Sequence, residues 1–540
     1  MIRAYLIIWK ARILRVAVIS GILAMIGAAA SVFQLTDERP KGMAEDLADW
    51  KLQRDPGSLV VHKEIVLPPE FDSFGRVSDF LPPPPLDPLP RVVPKLQDGG
   101  DFGSAISAFG RFVAVGAQSD DSQGQERGAV YLYENTGEEG GWQLRHRILG
   151  DAAMDVREVQ PRARFGRGVA LGDGVLAVMQ GEVAPDLGKA EDDPEAVYVF
   201  RSDDNWKTWR EVAVLKSPEG GRGHGISLAF LDRDTLLVGA PTAEPAIPGG
   251  TMGAIYIYTR DPNAPPGQCW RPSDPLRPPL TAPQNSQYGF GSALSVSGEI
   301  VAASLSCGAG VELGQSEGAR GVLLYRHTNA EGSLITWEFL GQIPRPESAN
   351  RSFGGTLALT GNRLAVGNAF WLDPGPTWAD PERIRIPRVY VFHAPRPDAP
   401  APDWKLEEEL TADPIQRDHR YFGRDLTMGG DWIAVPSERG GAGGVYPGMV
   451  VVYRHSLTRG WELFKELVAA DPYDESTFGI KTAIADNTLL ITCPAHTKPH
   501  NGHGRVYLWP LSADKSPEDV SRSAAHCEAS GAKWSGSPGM

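Results

Sequence analysis

The chain has 540 residues, a formal net charge of -14 and 22% charged residues. This acidic balance argues against a broad basic surface for nucleic-acid phosphate or anionic lipid, because both need clustered Lys and Arg. With 41% hydrophobic residues, 61 Gly and 45 Pro, the composition is typical of a globular, loop-rich β protein.

The N-terminal thirty residues have the features of a targeting segment. Four basic residues come first: Arg3, Lys10, Arg12 and Arg15. An unbroken run of apolar and small residues covers 16–30 and ends in three alanines, which fit a secretory cleavage site. Continued to Phe33 the run reaches 18 residues, a length that also suits an uncleaved membrane anchor. Both alternatives predict that the rest of the chain is exported, because the positive flank stays cytoplasmic.

Residues 31–90 carry few signals, and we interpret them as an N-terminal extension. The stretch from Pro82 to Pro90 contains six prolines in nine residues, which favour an extended and stiff linker. We therefore expect the folded array to begin directly after this linker.

A unit of short strands then recurs along the chain. In its first copy two apolar segments surround the turn at 109–111, Gly116-Ala117 follows, and a third segment covers 128–133. Such short runs between Gly, Asp, Asn or Ser predict strands joined by turns. Successive copies start 56 to 69 residues apart, at Phe102, Phe165, His224, Phe290, Phe353, Phe422 and Phe478. Four short strands repeated at this period predict propeller blades.

The unit resembles the FG-GAP repeats of integrin alpha-subunit propellers and of many bacterial surface proteins. Phe-Gly opens it, Gly-Ala-Pro ends the second strand, and the third strand alternates Val with Tyr, as in 197–200. The Gly-Ala-Pro element is complete only at 239–241. The resemblance covers roughly residues 91–515 and implies a β-propeller with a binding function.

The two ends of the array predict how the ring closes. The seventh copy ends after Trp509 without the Trp-led fourth strand of its predecessors, and residues 91–96 occupy the place of such a strand before the first copy. We predict an all-β, seven-bladed propeller of four-stranded blades over 91–515, closed by this N-terminal strand. Six or eight blades are the alternatives if a divergent copy is miscounted. Residues 516–540 lack apolar periodicity and are expected to be a disordered tail.

The resemblance raises the question of whether this protein binds calcium. In integrin-like members some blades bind it in a carboxylate-rich loop between the first two strands, since calcium takes six to eight oxygens. Here the corresponding segments are short, such as 172–174 and 486–487, and none supplies more than two carboxylates. The sequence predicts ordinary turns there and no calcium cofactor.

The connections between the second and third strands are longer and more variable. Acidic residues in the first two of them predict a solvated acidic rim or, alternatively, a site for a cation or a partner. These residues are Asp120, Asp121 and Glu126 in the first connection, and Glu191, Asp192, Asp193 and Glu195 in the second.

Histidine and cysteine provide the remaining candidate ligands. His496, His500 and His503 lie within eight residues of the seventh copy, and neutral imidazole nitrogens are ligands for zinc or copper. Their spacing matches no standard zinc motif, so a polar loop without metal is the alternative. The four cysteines permit two disulfides in an exported chain, and a bridge between Cys269 and Cys307, in adjacent copies, is the one that we expect.

Two classes of function are open. The sequence contains no nucleophile elbow, phosphate loop or zinc-protease motif. Tryptophans that recur at one place in the blades predict packing between neighbouring blades, with a carbohydrate-stacking ring as the alternative: Trp142, Trp209, Trp337, Trp404 and Trp461. We favour a non-catalytic propeller that binds a protein or a glycan through variable loops. The alternative is a hydrolase or lyase acting on a surface polymer, with carboxylates or a metal site converging at the channel mouth.

Overall fold

The structure is a computed structural model. Apart from the backbone of three short early strands, it describes residues 101–120, 127–137, 141–149, 164–181, 195–219, 223–243, 253–265, 267–278, 289–306, 321–328, 336–349, 352–368, 387–412, 419–439, 448–469, 478–494 and 504–511. The chain divides into two units, 1–81 and 82–540. The first unit contains an antiparallel hairpin of β1 (Gln53–Asp55) and β2 (Ser58–Val60).

The second unit begins with β3 (Arg91–Val92), and consecutive antiparallel sheets follow it along the chain. Blade 1 contains β4 (Phe102–Phe109), β5 (Phe112–Ala117), β6 (Ala129–Asn135) and β7 (Trp142–Leu149). Blade 2 contains β8 (Gly168–Gly172), β9 (Val175–Gln180), β10 (Ala196–Arg201) and β11 (Arg210–Lys216). Blade 3 contains β12 (Ser227–Asp232), β13 (Thr235–Ala240), β14 (Ala254–Arg260) and β15 (Trp270–Pro272).

The remaining blades repeat this plan. Blade 4 contains β16 (Gly289–Ser297), β17 (Ile300–Ser306), β18 (Gly321–Thr328) and β19 (Thr336–Pro344). Blade 5 contains β20 (Leu357–Thr360), β21 (Arg363–Asn368), β22 (Arg388–His393), a 3₁₀ turn (Ala401–Asp403) and β23 (Lys405–Leu410). Blade 6 contains β24 (His419–Arg420), β25 (Thr427–Gly429), β26 (Trp432–Arg439), β27 (Gly448–Ser456) and β28 (Gly460–Val468). Blade 7 contains β29 (Thr482–Ala485), β30 (Thr488–Cys493) and β31 (Arg505–Pro510).

These sheets confirm the predicted all-β fold of seven four-stranded blades. In blade 6 the innermost position is split, since β24 and β25 both pair with β26. The first strands of neighbouring blades contact one another around a closed circle, from β4 through β8, β12, β16, β20, β25 and β29 back to β4. The first strands therefore surround the central axis, and the fourth strands lie at the outer edge.

The N-terminal strand closes the ring as the sequence predicts. β3 is the outermost strand of blade 7 and pairs antiparallel with β31. In this pairing Arg91 lies opposite Tyr507 and Val92 opposite Val506. The first and last parts of the propeller are thus joined by a shared sheet, which gives β31 a partner on its outer side.

The repeat motif is explained by contacts within and between blades. The ring of Phe102 is fully buried and packs edge-on against Tyr131, with ring centroids 5.4 Å apart. At the next junction Gly128 forms a parallel bridge with Phe165, whose carbonyl oxygen would lie 2.1 Å from a Cβ at residue 128. Phe-Gly and the later glycines recur because each blade packs its backbone against the backbone of its neighbour.

Neighbouring blades share apolar cores. One such core combines residues of blades 4 and 5, and Trp404 within it is only 4% exposed. Trp461 is buried in the equivalent core between blades 5 and 6. The recurring tryptophans therefore pack between blades, as predicted.

Cys269 does not form the disulfide that we expected. It is a buried free thiol in the core shared by blades 2 and 3, and its Sγ donates to the carbonyl oxygen of Val212 at 3.6 Å. The side chain therefore packs in the core between blades 2 and 3. Cys307 itself is outside the described residues.

Candidate binding face

The up-and-down order of the strands gives the propeller two different faces. Connections after the first and third strands begin and end on one face, which we call the turn face. Connections after the second and fourth strands begin and end on the opposite face, which we call the loop face. Between the second and third strands the connections range from eight residues (440–447) to nineteen (369–387).

The turn face has very short connections next to the axis. Between the first and second strands every blade has a two-residue turn: 110–111, 173–174, 233–234, 298–299, 361–362, 430–431 and 486–487. Several contain a glycine in the left-handed region, such as Gly110 with φ of 57°. These are the ordinary turns that the sequence predicts. Within the described ranges no three His, Cys, Asp or Glu side chains are grouped to hold a metal, and a calcium-free protein stays a prediction.

Asp120 lies where the first long connection leaves blade 1. Its backbone N–H donates to the carbonyl oxygen of Ala117 at 3.1 Å, and its own carbonyl oxygen accepts from the N–H of Gly128 at 3.1 Å. These two bonds bring the start and the end of the connection together. The side chain is 3% exposed, so Asp120 is not part of the solvated rim that we expected.

A charged network holds the Asp120 carboxylate. Arg147 Nη2 donates to both carboxylate oxygens, at 2.8 and 2.9 Å, and Tyr131 Oη donates to Oδ2 at 2.6 Å. Burial and the Asp120 carboxylate both raise the pKa of the Tyr131 hydroxyl well above its ordinary value. Burial alone would lower the pKa of Arg147, but the hydrogen bonds and charge interactions with Asp120 and Tyr131 together outweigh burial and raise that pKa. The cluster fixes the point where the first long connection leaves blade 1.

Most of the other predicted site residues lie outside the part of the chain that the structure describes. Asp121, Glu126, Asp192 and Asp193 are outside the described residues, and so are His496, His500 and His503. Their roles stay predictions. Glu195, at the end of the second connection, is described, and its Oε2 accepts the backbone N–H of His224 at 2.8 Å.

A second polar cluster on the loop face, between blades 4 and 5, is not apparent from the sequence. Arg388 forms an ion pair with Glu409, whose other oxygen accepts from Ser348 Oγ at 2.8 Å. Tyr390 Oη in turn donates to Ser348 Oγ at 3.2 Å. Arg388 and Glu409 lie on the neighbouring strands β22 and β23 of one blade, 21 residues apart in the sequence. The predicted pairing of these two strands is the one sequence feature that could have indicated the contact. Like the Asp120 cluster, it lies at the base of long connections.

The strands around the axis are poor in titratable groups. Among the described residues of β4, β8, β12, β16, β20, β25 and β29, Asp232 is the single titratable side chain, and it lies at the turn-face end. β24, which shares the innermost position of blade 6 with β25, consists of His419 and Arg420. At the loop-face end Lys481 Nζ donates to Asp425 Oδ1 at 2.9 Å. Asp425 Oδ2 also accepts from the backbone N–H of Thr482, so this carboxylate ties blade 6 to blade 7.

The comparisons with known proteins agree with this geometry. Residues 97–133 match the FG-GAP repeat family, and the match runs through the first three strands of blade 1. The chain is an FG-GAP-like β-propeller. No curated protein matches the sequence. In the part of the chain that the structure describes, no helix is both long and apolar enough to cross a membrane.

Two solved structures illustrate the similarity of this FG-GAP-like propeller to other proteins. Sqt1 of Saccharomyces cerevisiae is 12% identical, with 80% of this chain and 87% of that chain covered and a TM-score of 0.34. The periplasmic gluconolactonase of Pseudomonas aeruginosa is 14% identical, with 68% and 85% covered and a TM-score of 0.39.

Proposed function

We propose that this protein is an exported or membrane-anchored, non-catalytic propeller that binds a protein or a glycan through the loop face. The observation that carries the proposal is the contrast between its two faces. The turn face has two-residue turns between first and second strands and connections of three to eleven residues between third and fourth strands, whereas the loop face has connections of eight to nineteen residues between second and third strands. Unequal connections on a rigid scaffold are a common arrangement for recognition.

The bases of the long connections support this role. Asp120 with Arg147, and Glu409 with Arg388, are ion pairs within single blades at the loop face. Fixed bases reduce the ordering that a loop must undergo when it binds, and so favour affinity. Asp121, Glu126, Asp192 and Asp193 follow in two neighbouring connections, and we propose that they present negative charge to a partner with basic groups.

The proposal is tested by measuring binding and turnover on the same molecules. Full-length protein is applied to a panel of immobilised glycans, polysaccharides and purified surface proteins in a biosensor. The same polysaccharides are then incubated with it and assayed for new reducing ends and for unsaturated products. We expect retention of at least one class without product. Product release above a heat-denatured control, or no retention on any surface, would contradict the proposal.

Export requires a separate test. We propose that residues 1–30 direct the chain out of the cytoplasm, as a cleaved signal or as an anchor. Cell fractionation followed by intact-mass measurement distinguishes the two, since cleavage removes the mass of the first thirty residues and an anchor leaves the full chain in the membrane fraction. Full-length chain in the cytoplasm would contradict export.

A further inference from the structure

The junction between blades 2 and 3 departs from the repeat at facing positions. At two other junctions a glycine before the third strand forms a backbone bridge with the Phe that opens the next blade: Gly128 with Phe165 and Gly253 with Phe290. At this junction Glu195 takes the place of that glycine and His224 takes the place of the Phe. The Glu195 carboxylate accepts the His224 N–H at 2.8 Å, so a side-chain contact joins the two blades there.

The His224 imidazole is enclosed. The residue is 1% exposed, and its ring lies against Tyr256 and Tyr258 with centroids 5.5 and 5.9 Å away. Its Nε2 is 3.3 Å from Tyr258 Oη, which also donates to the carbonyl oxygen of Lys216 at 3.0 Å. With Tyr258 donating to Lys216, Nε2 carries the proton of a neutral ring. In the described part of the chain Nδ1 has no hydrogen-bond partner.

The charged and titratable groups around the ring come from three elements. Glu195 of blade 2 contacts the backbone of His224, and Tyr256 and Tyr258 of β14 contact the His224 ring. Beyond Tyr256 lies the pair of Glu219 with Arg277, on segments that flank blade 3, with N–O distances of 2.6 and 2.7 Å. Glu219 is thus already neutralised by a guanidinium.

A proton on this ring would be costly. A second N–H at Nδ1 would be buried without an acceptor, and the charge would lose its hydration. Burial accordingly lowers the pKa of His224 to about 4. The junction is stable with a neutral imidazole and unstable with an imidazolium.

We propose that the junction between blades 2 and 3 is an acid-sensitive seam, which opens when His224 takes up a proton. His224 and Glu195 both lie at the loop-face ends of their strands, just before β12 and β10. Opening there changes the spacing of the connections of blades 2 and 3. The regulatory part of the inference therefore rests on the proposed binding function of the loop face, whereas the opening itself does not.

The sign and size of the effect follow from proton linkage. Because the folded pKa lies below the ordinary value of 6.5, the open state binds more protons between pH 6.5 and about 4, and acid favours opening in that window. With an ordinary pKa in the open state, the opening equilibrium constant at pH 5 is about thirtyfold larger than at pH 7.5.

Hydrogen exchange on the full chain tests the seam directly. Exchange is followed by mass spectrometry at pH 7.5 and pH 5, with correction for the intrinsic rate. Peptides from 195–201 and 223–240 report on the seam, and peptides from 353–368 and 388–393 report on blade 5, where Phe353 occupies the equivalent position. We expect acid to increase the opening constant about thirtyfold at the seam and to leave blade 5 unchanged.

Two variants assign the effect to the imidazole. His224→Phe restores the residue of the repeat, and His224→Gln keeps a polar side chain that does not titrate in this range. Both are expected to remove the acid response at the seam. An equal response in wild type and His224→Gln, or an equal response in blade 5, would overturn the inference.

The binding function is kept separate by a second readout. For a molecule retained in the biosensor, affinity at pH 5 is expected to fall in wild type and to stay constant in His224→Gln. If acid increases exchange at the seam but does not change affinity, the regulatory role is overturned, whereas the acid-sensitive opening itself stands. Absence of any binding molecule contradicts the proposed function, and the exchange result stands independently of it.

Discussion

At the blade junctions, glycine residues allow the backbones of neighbouring blades to approach closely, and a single added Cβ would clash there. A Cβ on Gly504 would lie 1.8 Å from the carbonyl oxygen of Phe102, and a Cβ on Gly128 would lie 2.1 Å from that of Phe165. Neither backbone can move away without disturbing a sheet. The same geometry thus recurs where blade 7 meets blade 1 and where blade 1 meets blade 2.

Gly128→Ala is therefore expected to be strongly destabilising. Gly128 and Gly137 both have positive φ, 83° and 68°, but a Cβ on Gly137 would have nothing within 4 Å. Gly137→Ala should cost about 1 kcal/mol in the free energy of unfolding, from backbone conformation alone. Gly128→Ala should cost about 3 kcal/mol more, from the clash. Urea denaturation measures both, and equal losses would contradict the close approach of the blades.

The Asp120 network gives a second test at a single residue. Asp120→Asn leaves Arg147 and Tyr131 facing a neutral amide in a buried site, and we expect a loss of about 2–4 kcal/mol in the free energy of unfolding. Glu462 forms an exposed pair with Arg459, so Glu462→Gln is a matched control with an expected change below about 0.5 kcal/mol. Similar losses in the two variants would show that Asp120 is not structurally important.

Closure by the N-terminal strand is a property of one element. Deleting 91–96 removes the strand that pairs with β31, whereas deleting 82–87 removes the same length of linker. The first deletion should lower the melting temperature by about 5 °C or more and promote aggregation through the exposed edge of β31. The second should leave melting unchanged. Calorimetry with light scattering reports both, and identical melting would argue against closure by this strand.

The short turns make a prediction about calcium. Each two-residue turn on the turn face carries at most one carboxylate, too few for the six to eight oxygens that calcium takes. We expect no change in melting temperature between millimolar calcium and a chelator, because a ligand that binds only the folded state must raise it. A rise of several degrees with calcium would contradict this prediction.

The spacing of the Phe-Gly pairs was sufficient to predict the blades, because most copies keep the residues of their junction. The missing fourth strand of the seventh copy, together with residues 91–96, predicted the closing strand. Local irregularities were not predictable. In five blades the pairing of third and fourth strands shifts by a residue next to the third-strand aromatic, as at Tyr133 and Tyr325. Such bulges depend on packing at the outer edge and have no fixed sequence signal. Arg147 was likewise missed as a partner of Asp120, because it lies 27 residues away on another strand.

At the scale of the whole molecule, the residues that stabilise the ring and the connections that we propose for recognition are in different places. Shared cores and backbone contacts lie inside the disc, and the long connections leave one face. The core and junction residues are well predicted from the sequence, because the junctions repeat along the chain. The long connections are poorly predicted, since each connection has its own length and sequence.

Binding by variants altered on opposite faces is the most direct test of recognition through the loop face. Residues 369–387 on the loop face are replaced by a Gly-Ser segment of equal length, and residues 136–141 on the turn face are replaced in the same way. For a protein or glycan retained in the biosensor, the loop-face variant should lose affinity about tenfold or more, and the turn-face variant should bind as wild type does. Loss confined to the turn-face variant would contradict recognition through the loop face.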